Sequence, residues 1–377
     1  MGNLQTVIRN IKLLFSLNLT RVVLVLLILT IVDIPIVRWE NRLLRESGQI
    51  RLATHEIDSI AAQQSQIKNS KGFKIVYLGD SVVYGPGVTP TQTAPYYLEQ
   101  ELRRRYPDKD IRVFNYGYKG YGISETFLML NTLRNSGVNM VIFGVNFSYF
   151  NRQPVIEYTN AAKVNPDIFQ SSRVKKLGVN LPEVKNVDWN RQVSGFLASH
   201  WALYRNRSTI AAWILGKSLG EKLYDYKFYI FDPLTYQKQE IYWSSLHQPW
   251  SEKNYSKELS LTNSKVGWIN LASANPQVEF YKLIMDLLQN EHITTLFYAT
   301  PLNYEMYEHY NKLDRPKLNR YLSDLRALSR PQQTNFMDLT YAVPGKNFAD
   351  SLHMFAPGYR LLAQSIENEI TRKGLIK

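Results

Sequence analysis

The sequence predicts an α/β protein built on a parallel β-sheet of about five strands with helices on both faces. Short apolar segments alternate with longer segments whose apolar residues recur at helical spacing, first over residues 73–145 and again over residues 280–371. The segment Met140–Val145 has no polar side chain, as is typical of a strand buried on both faces. Alternation of this kind indicates a parallel sheet covered by helices.

The boundaries of the predicted elements follow from where each apolar pattern begins and ends. Strands are predicted at Phe73–Leu78, Ile111–Asn115, Met140–Val145, Thr294–Thr300 and Asn335–Leu339. Helices are predicted at Tyr96–Tyr106, Ser124–Asn135, Phe280–Gln289, Pro316–Ser329 and Ala356–Thr371. Ser124 is a residue type that caps helix N-termini, and it sets the predicted start of the second helix.

The alternating pattern is interrupted by residues 151–277, which are irregular and rich in aromatic residues. This segment holds six of the seven tryptophans, so we predict one large insertion between the third and fourth strands. Its tryptophan rings could stack on sugar rings of a substrate, or they could form the insertion's own core.

The N-terminal region is predicted to be a membrane anchor followed by a stalk. The apolar run over residues 17–37 is about long enough to cross a hydrocarbon core of ~30 Å. We therefore expect residues 1–38 to form a cytoplasmic tail and a single-pass anchor, with the rest of the chain outside the cytoplasm. A cleaved signal peptide is disfavoured because no small-x-small site follows the run. Residues 39–71 are predicted to be a stalk helix or linker, and residues 72–377 the main domain.

The composition excludes several kinds of site. The chain contains no cysteine, which rules out disulfides, thiolate nucleophiles and cysteine-based zinc sites. No His, Asp and Glu cluster has metal-ligand spacing, so neither a metal nor another cofactor is predicted. The formal net charge is +13, but the Lys and Arg residues are scattered and form no nucleic-acid recognition module. A solvated basic surface, or attraction to anionic lipid or polymer, remains compatible with this charge.

Ser81 lies at a predicted turn between the first strand and a helix, in the sequence Gly79-Asp80-Ser81. A serine nucleophile requires a base, and the base requires an acid that orients it. Of the six histidines, His353 alone has an aspartate, Asp350, three residues before it, and it lies in the loop before the last helix. The rival acid Asp80 is disfavoured, because its place next to Ser81 suits it to bracing the turn.

Two further turns supply candidate donors for an oxyanion. The sequence after the second strand is rich in glycine, and Gly120 follows Asn115 by five residues. Glycines allow backbone N–H groups to approach a ligand closely. The third strand ends in Gly144-Val145-Asn146, where the amide of Asn146 could donate a hydrogen bond. Either turn could therefore present a donor to an oxyanion.

Four segments of the chain resemble, in the same order, four sequence blocks of the SGNH (GDSL) hydrolase family. They are Gly79-Asp80-Ser81, the glycine-rich turn that contains Gly120, Gly144-Val145-Asn146 and the segment from Asp350 to His353. The resemblance covers residues 72–150 and 280–377, and leaves the N-terminal region and the insertion unexplained. It implies a three-layer α/β/α sandwich of flavodoxin type and the hydrolysis or transfer of acyl esters. It also implies Ser81, Gly120 and Asn146 as the oxyanion donors, because Gly120 matches the oxyanion glycine of the family's second block. Two residues depart from the family pattern, with Val82 in place of leucine and Phe147 in place of the aspartate that usually follows the asparagine of the third block.

The resulting hypothesis is a membrane-anchored serine esterase of the cell envelope that hydrolyses acyl esters, with O-acetyl esters as the expected substrates. Its catalytic residues are Ser81, His353 and Asp350, and an acylated glycan is a candidate substrate. An O-acyltransferase that modifies an envelope polysaccharide would use the same residues. A non-catalytic envelope scaffold with an inactive site is the alternative of a different class.

Overall fold

The computed structural model describes residues 19–46, 57–152, 154, 172–177, 193, 197, 201–205, 207, 245–253, 255, 269–329 and 335–376. The predicted cytoplasmic tail and most of the predicted insertion 151–277 lie outside the described residues. The domain boundaries assigned from the sequence therefore stay predictions.

Strands and helices alternate through the main domain. In chain order the elements are α1 Leu19–Glu46, α2 Ile57–Asn69, β1 Phe73–Gly79, α3 Ser81–Tyr84, α4 Ala94–Arg105, β2 Ile111–Gly117, α5 Ile123–Thr132, β3 Met140–Val145, α6 Ser172–Lys175, α7 Ala202–Arg205, α8 Pro276–Asn290, β4 Thr294–Ala299, α9 Tyr304–His309, α10 Arg315–Ser329, β5 Asn335–Asp338 and α11 Ala356–Lys373. Short 3₁₀ turns lie at Pro90–Gln92, Phe147–Asn151, Trp250–Glu252 and Gly345–Asn347.

The five strands form one parallel sheet in the order β2-β1-β3-β4-β5. This is the strand order of flavodoxin-like doubly wound folds. In the register, Tyr77 of β1 pairs with Asn115 of β2 on one side and with Ile142 of β3 on the other. The prediction of a parallel sheet of about five strands is confirmed.

Both faces of the sheet are covered, because strand side chains alternate between two hydrophobic clusters. On β1, Val76 and Leu78 enter one cluster, whereas Ile75 and Tyr77 enter the other. The first cluster is completed by side chains of α2, α5, α8 and α10, and the second by side chains of α3, α4 and α11. The described residues therefore form the three layers expected of an α/β/α sandwich.

The start of α5 differs from the prediction. Gly122, rather than Ser124, occupies the N-cap position, and its N–H donates to Glu125 Oε2 at 2.8 Å. Ser124 is buried in the first turn, where its N–H donates to Gln277 Oε1 at 3.1 Å. The side chain of Glu125 thus satisfies the start of the helix, so a capping serine is not required.

The prediction of a single-pass membrane protein is contradicted. Among the residues that the structure describes, no helix is long and apolar enough to span a bilayer. The sequence of α1 carries Arg21 and Asp33 within its apolar run. The Asp33 carboxylate accepts a hydrogen bond from the N–H of Leu203 at 2.6 Å, which joins α1 to α7. The extracytoplasmic location that rested on this anchor is withdrawn with it.

Helix α2 lies within the predicted stalk and packs on the sheet. Its residues Ile60 and Ile67 are fully buried. The side-chain amide of Gln63 donates to the backbone carbonyl of Asn115 at 3.0 Å. Lys74 holds the end of α2, because its ammonium donates to the carbonyls of Ile67 at 3.2 Å and Ser136 at 2.8 Å. A cation at this position also matches the negative end of the helix dipole.

Glu99 of α4 is a fully buried carboxyl at the interface with β2. Its Oε2 accepts the N–H of Val113 at 2.8 Å, and its Oε1 lies 2.9 Å from Nη2 of Arg103. Burial raises the pKa of Glu99 to about 7, although the Val113 N–H and the Arg103 charge oppose the rise. The folded chain therefore keeps this proton at pH values where the unfolded chain has lost it.

This buried carboxyl predicts a pH-dependent stability. The stability that Glu99 contributes to the fold is fully present below about pH 4.5 and is lost as the pH rises through about 7. In Glu99→Gln the amide oxygen can still accept from Val113, and the side chain does not ionise. The difference between the unfolding free energies of Glu99→Gln and wild type should therefore shift in favour of the variant by on the order of 3 kcal/mol between pH 4 and pH 8. Chemical denaturation at both pH values measures this difference.

The matched control is Glu101→Gln, on the outer side of the same helix. A Glu99→Gln effect that is the same at both pH values, or that Glu101→Gln reproduces, would contradict the assignment of a buried proton to Glu99.

Candidate active site

Ser81 is the first residue of the four-residue helix α3, directly after β1 and the residue Asp80. Asp80 caps this helix, since its Oδ1 accepts the N–H of Val82 at 2.9 Å. Gly85 ends it with a positive φ of 76°, and its N–H donates to the carbonyl of Ser81 at 2.9 Å. The left-handed conformation at Gly85 is one that glycine adopts without strain. Ser81 is therefore held at the carboxyl end of the sheet.

The structure brings Ser81, His353 and Asp350 into one hydrogen-bonded line. Ser81 Oγ lies 2.8 Å from His353 Nε2, and His353 Nδ1 lies 2.7 Å from Asp350 Oδ2. Both distances are those of good hydrogen bonds. This is the relative geometry of a nucleophile, a base and an orienting acid.

Asp350 holds both the imidazole and the turn that carries it. While one carboxylate oxygen contacts the imidazole, Oδ1 accepts the backbone N–H groups of His353 at 2.7 Å and of Leu352 at 2.8 Å. Burial alone would raise the pKa of Asp350, but the hydrogen bond and charge of His353, together with the two N–H groups, hold it below its ordinary value. The carboxylate therefore stays ionised beside the imidazole.

The side chain of Asp80 is hydrogen-bonded to the residue that follows β3, and it is not part of the line of hydrogen bonds through the imidazole of His353. Its Oδ2 accepts from Asn146 Nδ2 at 2.7 Å. The other end of that amide is also held, because Asn146 Oδ1 accepts the N–H of Ser148 at 3.2 Å and its hydroxyl at 2.6 Å. Burial raises the pKa of Asp80, although the Asn146 and Val82 hydrogen bonds oppose the rise. Asp80 and Ser148 thus orient Asn146, and Phe147, the residue between Asn146 and Ser148, supplies no part of this bracing.

Gly120 lies in the loop between β2 and α5, next to the turn of Ser81. The N–H of Tyr118 donates to the carbonyl of Gly79 at 3.1 Å, which ties this loop to the end of β1. Gly120 has a φ of +77°, and a Cβ built on it would meet no atom of the described residues within 4 Å. The space where a side chain of Gly120 would begin is therefore open. Gly120 takes no part in the hydrogen bonds that join Ser81 to His353 and Asp350, or in the one that joins Asn146 to Asp80.

Asn115 fixes α3 against the sheet, a role that the sequence reasoning missed. Its Nδ2 donates to the carbonyl of Val83 at 3.0 Å, and its Oδ1 accepts the N–H of Gly117 at 3.2 Å. A Cβ on Gly117 would lie 2.6 Å from the backbone nitrogen of Tyr84, so the helix and strand approach too closely for a larger residue. The signal in the sequence was an amide near the end of a mostly apolar strand.

Asn303 supports the turn of Asp350 and was also missed. Its Nδ2 donates to the carbonyl of Asp350 at 2.8 Å, and its N–H donates to the carbonyl of Ser351 at 3.0 Å. Asn303 is fully buried in the loop after β4. A polar residue beyond a strand end was the available signal, but its partner lies 47 residues away.

The described part of the chain contains no cluster of side chains suited to binding a metal ion. There, no group of three or more His, Cys, Asp or Glu side chains is arranged to hold a metal ion.

Comparison with known proteins finds only distant structural likenesses. No family model and no curated protein matches the chain. One similar structure is described as a lipolytic protein of the G-D-S-L family from Desulfitobacterium hafniense DCB-2, with 10% identity and a TM-score of 0.35 over 78% of this chain and 98% of that chain. Another is described as an acylhydrolase from Bacteroides fragilis NCTC 9343, with 10% identity and a TM-score of 0.35 over 85% of this chain and 97% of that chain.

A third is a carbohydrate acetylesterase from Sinorhizobium meliloti, with 10% identity and a TM-score of 0.33 over 80% of this chain and 99% of that chain. Likeness at these TM-scores carries no argument about this chain. The resemblance to SGNH (GDSL) hydrolases therefore rests on the four sequence blocks. The description of the site rests on the hydrogen bonds between its own residues.

The contacts of Asp80 predict that its removal is costly. Asp80→Ala leaves the Val82 N–H and the Asn146 amide without their buried acceptor. We expect a loss of about 2–4 kcal/mol in the free energy of unfolding, since buried unsatisfied groups typically cost about 1–3 kcal/mol each. Urea denaturation measures it. The control is Asp108→Ala at an exposed position, and equal losses in the two variants would contradict this account.

Proposed function

We propose that the protein is a serine hydrolase that cleaves acyl esters, with Ser81 as nucleophile. The observation that carries the proposal is the line of hydrogen bonds from Ser81 Oγ through the imidazole of His353 to the carboxylate of Asp350. His353 and Asp350 are 6% and 4% exposed, so their interaction is little screened by solvent. An isolated serine hydroxyl is a weak nucleophile, and an adjacent base activates it.

In the first step, Ser81 Oγ attacks the ester carbonyl carbon while its proton moves to His353 Nε2. The imidazolium that forms lies against the ionised carboxylate of Asp350, which stabilises it. The tetrahedral intermediate then collapses as the imidazolium returns the proton to the leaving alcohol. The products are an acyl-Ser81 ester and a free alcohol.

The negative oxygen of the intermediate needs donors that are already in place. We assign this role to the N–H groups of Ser81 and Gly120 and to the side-chain amide of Asn146. The N–H of Ser81 belongs to the first turn of α3, where backbone donors lack a helical acceptor. Asn146 Nδ2 carries two hydrogens, and the bond to Asp80 uses one of them. The other hydrogen is the one available to an oxyanion.

In the second step, His353 Nε2 accepts the proton of an oxygen nucleophile that attacks the acyl carbonyl carbon, and the imidazolium returns that proton to Ser81 Oγ as the bond between Ser81 Oγ and the acyl carbon breaks. With water the protein is an esterase, for which O-acetyl esters are the proposed substrates. With a sugar hydroxyl it is an O-acyltransferase, and a glycan is then the acceptor. A non-catalytic scaffold is disfavoured because it has no need of a hydrogen-bonded nucleophile, base and acid.

The first test is substitution of the nucleophile. We expect Ser81→Ala to lower the hydrolysis of p-nitrophenyl acetate to the rate of buffer alone, because it removes the hydroxyl that lies 2.8 Å from His353 Nε2. The control is Ser365→Ala, whose hydroxyl donates to a carbonyl within α11. Unchanged turnover by a folded Ser81→Ala protein would contradict the proposal. Product masses with and without an added oligosaccharide separate hydrolysis from transfer.

The oxyanion assignment predicts a defect in kcat. Asn146→Ala removes a donor to the developing charge, and we expect kcat to fall by about 10²–10³-fold. Ser148→Ala removes only a hydrogen bond that orients the same amide, so its loss should be below about 10-fold. Steady-state kinetics at matched folded concentration compares the two. Equal kcat values for Asn146→Ala and wild type would remove Asn146 from the oxyanion site.

A further inference from the structure

Residues 245–253 and Tyr255, here called the strap, lie within the predicted insertion 151–277 and pack against the site's framework. At one end of the strap, Leu246 is only 2% exposed. It lies against Gly87 in the loop after α3, where a Cβ on the glycine would be 3.0 Å from Leu246 Cβ. The strap therefore contacts the loop that follows the nucleophile's helix.

At its other end the strap contacts the residue before Asp350. Lys253 Nζ donates to the carbonyl of Ala349 at 2.7 Å, and the hydroxyl of Tyr255 donates to the same carbonyl at 3.2 Å. The N–H of Ala349 donates to the carbonyl of His353 at 2.8 Å, which closes the turn of the acid and the base. The peptide groups of Ala349 are thus held on both sides, by the turn and by the strap.

The middle of the strap is fixed to the same loop. The indole N–H of Trp250 donates to the carbonyl of Gly345 at 3.0 Å, and its backbone N–H donates to the carbonyl of Phe348 at 3.4 Å. The N–H of Tyr255 donates to the hydroxyl of Tyr310 at 3.3 Å. The two Trp250 contacts hold the strap along the loop that leads to Asp350, and the Tyr255 contact holds it to the end of α9.

We propose that the strap positions the turn of Asp350 and His353, with Lys253 and Tyr255 as positioning residues. The inference deepens the proposed function and rests on it for the effect on activity. The carbonyl of Ala349 and the N–H of Asp350 belong to one peptide group. Release of that carbonyl lets this peptide group rotate, and the rotation moves the imidazole of His353 relative to Ser81. Displacements of about 1 Å from productive geometry can cost 10²-fold in rate.

The test compares the double variant Lys253→Met/Tyr255→Phe with wild type and with the control Lys317→Met/Tyr321→Phe on α10. We expect the strap variant to lose roughly 10- to 100-fold in kcat with little change in KM. The single variant Lys253→Arg, which keeps a cationic donor, should retain more than half of the wild-type kcat. Hydrogen exchange measured by mass spectrometry should be faster at residues 349–353 in the strap variant alone.

The exchange measurement keeps this inference separate from the proposed function. Exchange at residues 349–353 equal to that of the control variant would overturn the positioning role. A strap variant in which KM rises and kcat is unchanged would overturn it as well. If wild type is inactive toward acyl esters but the exchange difference is present, the positioning role is supported and the proposed function is contradicted.

Discussion

The buried carboxylate of Asp350 is the group on which the arrangement of the site depends. It accepts two backbone N–H groups of its own turn and contacts the imidazole of His353 with its second oxygen. One side chain thereby sets both the path of the backbone and the direction of the base. The ionised form is favoured because each of these contacts stabilises negative charge.

The parallel sheet supplies the second constraint, since it brings distant parts of the chain to one edge. Ser81, Gly120 and Asn146 follow β1, β2 and β3 directly or by a few residues. Asp350 follows β5, and Asn303 reaches its turn from the loop after β4. Functional groups of open α/β sheets commonly meet at this carboxyl edge. Hydrogen bonds between these loops then fix the geometry that strand order alone leaves loose.

Local sequence signals predicted the parts of the structure that local physics determines. The bounds of Met140–Val145 agree with the structure, because an unbroken apolar run ends at a strand tip. The spacing of Asp350 and His353 predicted their contact, since three residues of one turn suffice to make it. The role of Asp80 in bracing its own turn was readable for the same reason.

Long-range contacts were beyond such signals. Gln63 and Asn115 are 52 residues apart, and Lys253 and Ala349 are 96 residues apart. Neither pairing has a local pattern, and each depends on how the layers pack. The N-cap of α5 was missed because a side chain one residue beyond Ser124 satisfies the helix start. The membrane anchor was predicted from hydropathy along the run, and the described helices do not bear it out.

The central claim is that His353 and Asp350 make Ser81 a nucleophile, and covalent trapping tests it most directly. Wild-type protein would be treated with a fluorophosphonate, digested and mapped by mass spectrometry. The account predicts a single stoichiometric adduct on the peptide that contains Ser81, and no adduct in the His353→Ala variant. Labelling at another residue, or labelling of Ser81 at the same rate in His353→Ala, would contradict it.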